Sequence, residues 1–320
     1  MKFHIVALSG LLLLQAVPAA AQKTVRIVSV STSDQFNDAF SGFKKRMEEL
    51  GYREGREVVY ELRAARGGEG VVHEVARRLV EEKVDMILTS STTSTVAVAK
   101  ATAGTHIPVI FLSAGNPQKL VKSFAGSGTN LAGISSGTLE ITGKRFELLR
   151  DLVPGAKRVA NFTNPRGVNH QSSTAEVREA ARKLGFLLFD IPVTSRSEIG
   201  LQAPTVTRRK FDAIFTPPDV MVTEAIEIIV EQSYREKLPL MTSLLANVRR
   251  GCLATYGANY FALGEQGAGI AHKILKGAKP SDLPIEQPMK FHLALNLKAA
   301  KAIGLTVPRE ILLRADEVIE

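Results

Sequence analysis

Cysteine is all but absent from this chain. Cys252 stands alone among 320 residues, so no internal disulfide can form and the fold must be held by apolar burial. The thiol sits in "RRGCLATYG", which reads as a short strand, and a packed apolar thiol suits that setting better than a nucleophile. Tryptophan is missing and tyrosine is limited to five residues, which weighs against a flat protein-binding or carbohydrate-stacking surface. No G-x-G-x-x-G or Walker sequence occurs, and neither G-x-S-x-G nor H-E-x-x-H is present. His73, His106, His170, His272 and His292 are isolated and lack metal-ligand spacing, and no acidic calcium loop is found. The sequence therefore calls for no metal and no cofactor. The formal charge of +9 is scattered, with short clusters only at Arg208-Arg209-Lys210 and Arg249-Arg250, so nucleic acid is not an expected partner.

What is present begins with an export signal. "MKFHIVALSGLLLLQAVPAAAQ" carries Lys2, an apolar stretch from about Ile5 to Leu14, and small residues at Ala19-Ala20-Ala21. This predicts a signal peptide over residues 1–21, cleaved between Ala21 and Gln22. The apolar part is short for a membrane span. No cysteine follows the cleavage point, so a free periplasmic protein is expected rather than a lipid-anchored one. Loss of Lys2 takes the formal charge from +9 to +8.

The rest alternates strand and helix patterns. "TVRIVSVST", "REVVYELRAA", "DMILTSS" and "IPVIFLSA" read as strands, separated by helical periodicities such as Phe36, Phe40, Phe43, Met47 and Leu50. The pattern restarts with "KRVANFTNP", "LLFDIPV", "FDAIFTPPD" and "PLMTS". Two successive open α/β units with parallel sheets covered by helices are predicted. The glycine-rich "GTNLAGISSG", Gly128 to Gly137, reads as a crossover between them, and "YGANY" as a second.

In open α/β sheets ligands sit beyond the carboxyl ends of the strands. Those ends supply Ser33, Asp34, Ser90, Ser91, Thr92, Ser113 and Asn116 in the first unit. Asn164, Asp219 and Ser243 come from the second, and Tyr256 and Asn259 from the later crossover. The run Thr89 to Thr95 follows a buried strand where nucleotide-binding folds place glycines. Hydroxyls and free backbone N–H groups at a helix start can hold a carboxylate. Serine and threonine also cap helices with no ligand involved, and the residues alone leave both readings open. Asp219, in "TPPD", can cap the next helix, bind a ligand ammonium, or do both. Asn164, in "TNP", fits a turn as well as a ligand contact.

Several stretches resemble one family. These are "LGYREGREVVYELRAA", "ARRLVEEKVDMILTSSTTSTVAVAKATAGTHIPVIF", "TGKRFELL", "ILKGAKPSDLPIEQPMKFHLALNLKAAKAIGLTVP" and "LLRADEVIE". The chain is similar to the substrate-binding proteins of ABC transporters of the tryptophan/tyrosine type. The resemblance implies a two-lobed type I periplasmic-binding-protein fold, each lobe a parallel sheet flanked by helices, with three crossovers at the hinge. It places lobe 1 at 22–133 plus about 258–285 and lobe 2 at 134–257 plus about 286–320, with the third crossover near Ile285–Lys290. It implies no enzyme activity, a monomer, a small organic ligand such as an aromatic amino acid or related carboxylate, and an ABC permease in the inner membrane as partner. The family usually reads D-P after the fourth strand; here the stretch is "AGNP", with Asn116 in the acidic place. Two other classes share the strand pattern. A two-lobed racemase or hydrolase would need an acid–base pair or nucleophile in the cleft, paired cysteines in the racemase case, and a ligand-sensing regulator an N-terminal DNA-binding helix-turn-helix; the chain has one cysteine, and a signal-like segment at its start.

Overall fold

The computed structural model describes residues 24–320, so the expected signal segment lies outside the described residues. The first sheet holds β1 (Val25–Ser31), β2 (Val58–Ala64), β3 (Met86–Thr89), β4 (Val109–Ala114) and β5 (Leu131–Ser135) in the order β2-β1-β3-β4-β5. All its pairings are parallel, so each strand needs a crossover. Helices α1 (Asn37–Glu49), α2 (Glu69–Glu81) and α3 (Thr92–Ala101) provide the first three, and the fourth, from β4 to β5, runs through a short turn at Pro117–Lys119. Strands β3 and β4 are buried along their whole length, the reason "MIL" and "VIFL" run apolar without alternation.

The second sheet holds β6 (Arg158–Thr163), β7 (Leu187–Pro192), β8 (Ala213–Thr216), β9 (Leu240–Thr242), β10 (Ala254–Ala258), β11 (Phe291–Asn296) and β12 (Glu317–Ile319). Its order is β12-β11-β10-β9-β8-β6-β7. Around it lie α4 (Thr142–Leu152), α5 (His170–Lys183), α6 (Arg196–Gln202), α7 (Val220–Glu224), α8 (Ile226–Arg235), α9 (Leu245–Arg249), α11 (Leu297–Ile303) and α12 (Arg309–Arg314). One helix, α10 (Tyr260–Leu275), leaves this unit: its Leu263, Ala268, Ile270 and Ala271 pack with Phe40, Phe43 and Met47 of α1 in the first core. Cys252 is fully buried in the second unit beside Leu240 and Ile229, and burial raises its thiol pKa.

Three details depart from the sequence pattern. The stretch Leu131–Ser135, read as part of a crossover, forms the edge strand β5 before the chain crosses over. Strands β10 and β11 pair antiparallel, because the chain leaves the second unit along β10 and re-enters along β11. The segment between β8 and β9 holds two helices in place of one, α7 and α8, meeting at Ala225. On its way back the chain touches β5 once more, where Ser135 N–H donates to the Glu286 carbonyl and Glu286 N–H to that of Gly133.

Helices α1 and α10 cross at glycines. A Cβ on Gly264 would lie 1.8 Å from the Ala39 carbonyl oxygen, and one on Gly42 would lie 2.0 Å from that of Phe261. Backbone meets backbone there, so the two helix N-termini are held in fixed register. Both reach the space between the sheets.

Candidate ligand cleft

A small chamber lies between the two units. The first unit gives it Gln35, Phe36, Ser91, Thr92, Thr93, Ser113, Gly115 and Tyr260. The second contributes Val168, Asn169, Pro218, Asp219, Val220, Thr223 and Leu244, while Ser136 and Thr138 come from the crossover after β5. Apolar and aromatic groups gather on part of the wall, with the Phe36 and Tyr260 rings 5.5 Å apart between centroids. Asp219 is the only charged residue among those lining it.

The hydroxyl run after β3 divides its labour. Ser91 caps α3: its Oγ accepts from Ser94 N–H at 3.1 Å, and Ser94 Oγ accepts from Ser91 N–H in return. Ser90 lies just behind the chamber wall, and its carbonyl accepts from Ser113 Oγ at 2.7 Å. Thr92 faces the chamber. Its Oγ1 accepts from Gly115 N–H at 2.9 Å, Asn116 N–H at 3.3 Å and Asn169 Nδ2 at 3.3 Å. Its own hydroxyl proton has no acceptor among the described residues. Gly115 leaves the room in which this happens, since a Cβ there would stand 3.1 Å from Thr138 Cγ2 and 3.6 Å from Thr92 Oγ1.

Asp219 is half-buried, with no cation in hydrogen-bonding contact among the described residues. Its Oδ1 accepts from Val222 N–H at 3.0 Å, capping α7, and its Oδ2 accepts from Asn164 Nδ2 at 3.1 Å. Burial raises its pKa, against the lowering effect of these hydrogen bonds. Gly167 packs on the carboxylate so closely that a Cβ would come within 2.4 Å of Oδ2. Asn164 thus touches the chamber only through Asp219.

The remaining sequence candidates lie around the chamber. Ser33 and Asp34 line an outer hollow, where Asp34 is exposed and pairs with Arg66. Asn116 spans the units, donating from Nδ2 to Ser172 Oγ at 2.7 Å. Ser243 sits behind Leu244, its hydroxyl buried without a partner. Asn259 caps α10 through Ala262 N–H and lines a small side hollow next to Tyr260. The Tyr256 ring is not part of the chamber lining; it packs on Phe291 in a separate hollow with Leu148 and Leu293.

Sequence reasoning passed over Gln35, Asn169, Thr138 and Arg145. Both amide atoms of Gln35 and the Oδ1 of Asn169 are buried without a partner, which marks them as open positions for a ligand. Arg145, in the middle of α4, is fully buried and donates to backbone on three segments. The units also touch at the chamber rim, through Lys119 Nζ on the Val168 carbonyl and Arg249 near Asp38 at 3.7 Å. Among the described residues no group of acidic, histidine or cysteine side chains could hold a metal ion, and no helix is long and apolar enough to cross a membrane.

Two α/β units joined by three chain crossings around a polar-and-aromatic chamber define a periplasmic-type solute-binding protein. The chain belongs to the ABC transporter substrate binding protein family, whose model matches residues 24–319. Members bind solutes for ABC transporters outside the cytoplasm and are not enzymes. The chain is 27% identical over 286 residues to a tyrosine-binding protein of Clostridioides difficile, covering 89% of this chain and 81% of that one. It superposes with a TM-score of 0.84 on the ABC domain in complex with L-Trp from Streptococcus pneumoniae, at 25% identity over 93% of this chain and all of that one. The ligand-free, open structure of a substrate binding protein with adhesive properties from Clostridium difficile gives a TM-score of 0.69, at 26% identity over 93% of this chain and 99% of that one. Identity and coverage are alike in the two cases. The overall superposition is thus better on the L-Trp complex than on the open protein.

Proposed function

We propose that the chamber takes up an α-amino acid with an aromatic side chain, and that the two lobes close on it by a hinge motion. The observation that carries this reading is the single carboxylate of the lining, the half-buried Asp219, across from a hydroxyl-rich wall in a chamber that also holds Phe36 and Tyr260. A ligand ammonium would sit between Asp219 and the unpartnered Asn169 Oδ1. The ligand carboxylate would meet the hydroxyls around Ser91 and Thr92, at the positive end of α3. The ring would lie against Phe36, Tyr260 and Leu244, where the open amide of Gln35 can pair with a polar ring substituent. The relatives that bind tyrosine and L-Trp support this choice of ligand class.

Calorimetry with L-tryptophan and L-tyrosine tests the ligand class, and small-angle scattering on the same samples tests the hinge. A micromolar or tighter complex with a smaller radius of gyration is expected. Binding of neither amino acid would sink the ligand assignment, and tight binding with an unchanged radius would sink the hinge.

In the same reading the protein works as a periplasmic monomer that delivers its ligand to an inner-membrane permease. Export follows from the signal-like N-terminus. N-terminal sequencing of protein from a periplasmic extract should begin at Gln22; an intact Met1 on cytosolic protein would refute it.

A further inference from the structure

The chamber's lining holds a carboxylate but no cation, while a zwitterionic ligand brings one charge of each sign. The nearest buried positive charge stands one residue behind the wall. Arg145 is fully buried, and no carboxylate lies within hydrogen-bonding distance of it among the described residues. Its Nε donates to the Tyr256 carbonyl at 2.8 Å, Nη1 to the Thr138 carbonyl at 2.6 Å, and Nη2 to the Ser243 carbonyl at 3.1 Å. Nη2 also donates to Thr138 Oγ1 at 2.9 Å. A guanidinium held only by neutral acceptors in the interior is a costly arrangement, and it becomes favourable when a negative charge arrives nearby.

Thr138 connects it to the chamber. The side chain is buried, lines the chamber, and accepts the guanidinium's hydrogen bond, yet its own O–H proton has no acceptor among the described residues. Thr92 is in the same condition: three donors converge on its oxygen and its proton is unspent. Both stand near Gly115, where an added Cβ would lie 3.6 Å from Thr92 Oγ1 and 3.1 Å from the Thr138 methyl. Two unspent hydroxyl donors lining one chamber fit an acceptor-only group with two oxygens, which is what a carboxylate is.

We infer that the ligand carboxylate lies in the chamber against the Thr92 and Thr138 hydroxyls, with Arg145 as its buried counter-charge acting through the Thr138 hydroxyl. This rests on the amino-acid reading of the chamber and adds to it. Arg145 is then a positioning residue that selects anionic over neutral ligands. A carboxylate oxygen on Thr138 would come within roughly two hydrogen-bond lengths, about 5–6 Å, of Nη2. That separation keeps the attraction strong in a buried setting and spares Arg145 from entering the chamber.

The test compares L-tryptophan and L-tyrosine with their primary amides, which keep the ammonium and lose the carboxylate. The natural protein should bind the acids at least 100-fold more tightly than the amides. Thr138→Val should cut that preference at least tenfold by weakening the acids alone, with amide affinity within threefold of its starting value. Thr138→Ser should restore the preference, and Arg145→Gln, checked for folding by its thermal melt, should lose it as Thr138→Val does. Should Arg145→Gln fail to fold, Thr138→Val decides. Equal loss of acid and amide binding in Thr138→Val would mean that the pair only braces the hinge, and the inference falls. It also falls if the natural protein binds acids and amides equally. If neither acid binds the natural protein, the amino-acid reading fails and takes this inference with it. Acid binding unaffected by Thr138→Val overturns this inference alone.

Discussion

Asp219→Asn is expected to weaken amino-acid binding by at least a hundredfold while leaving the ligand-free protein folded. Truncating the charge of one partner in a buried, hydrogen-bonded ion pair costs roughly 2–5 kcal/mol, and a hundredfold is about 2.7 kcal/mol. Asparagine remains a good helix cap, so the bond from Val222 N–H that starts α7 can persist. Stability without ligand should change by no more than about 1 kcal/mol. The pH dependence has a definite sign. Burial raises the pKa of Asp219 in the folded protein above its unfolded value. This group's contribution to stability is therefore full below the ordinary aspartate pKa and fades as pH rises through the raised one. Ligand ammonium needs the ionised form. Affinity should thus fall as pH drops through the raised pKa, and binding in that range should release a proton. Calorimetry in buffers of different ionisation enthalpy reads both. Binding by Asp219→Asn within threefold of the natural protein would remove Asp219 from the ammonium site.

The second large effect is on the fold. Gly264→Ala places a methyl carbon 1.8 Å from the Ala39 carbonyl oxygen and 2.7 Å from the Phe43 nitrogen. Both are backbone atoms, so no side chain can swing aside and the helices must part. Overpacking of this kind costs about 1–3 kcal/mol, and the geometry places this case at the upper end. Alanine returns about 1 kcal/mol of helix propensity over glycine, so a net loss of roughly 2 kcal/mol is expected. A lower denaturation midpoint at unchanged slope would show it. The same change should weaken ligand binding, because Gln35 and Phe36 stand just before α1 and Tyr260 opens α10. A midpoint equal to that of the natural protein would show that the helix crossing has slack.

The alternation of strands and helices was legible because buried parallel strands leave unbroken apolar runs, as in Met86–Thr89 and Val109–Ala114, and the helices between them keep one apolar face. Helix α6 carried the signal Ser195-x-x-Glu198, a cap that the structure uses through Glu198 N–H, but its seven residues are too few to show periodicity. The strand ends pointed to Thr92, Ser113 and Asp219, which come together in the chamber. That route could not separate Ser91 from Thr92, since capping and ligand contact ask for the same side chain. Tyr256 was drawn in by its place at a crossover, yet alternation along β10 turns its ring to the side of Phe291. Arg145 was invisible for a plainer reason. An arginine in an amphipathic helix reads as a solvated face, and only three distant segments folding over it reveal a buried charge.

The solitary thiol has a practical consequence. Cys252 is fully enclosed in the second core, and its thiol is held well above the usual pH range of thiolate formation. Only thiolates react quickly with maleimides or disulfides. The natural chain is therefore chemically silent toward such reagents while it stays folded. A pair of cysteines introduced on the outer faces of α2 and α5 would be the only labels taken up. Dyes on that pair would follow the two lobes through opening and closing one molecule at a time, without any need to remove the native thiol first.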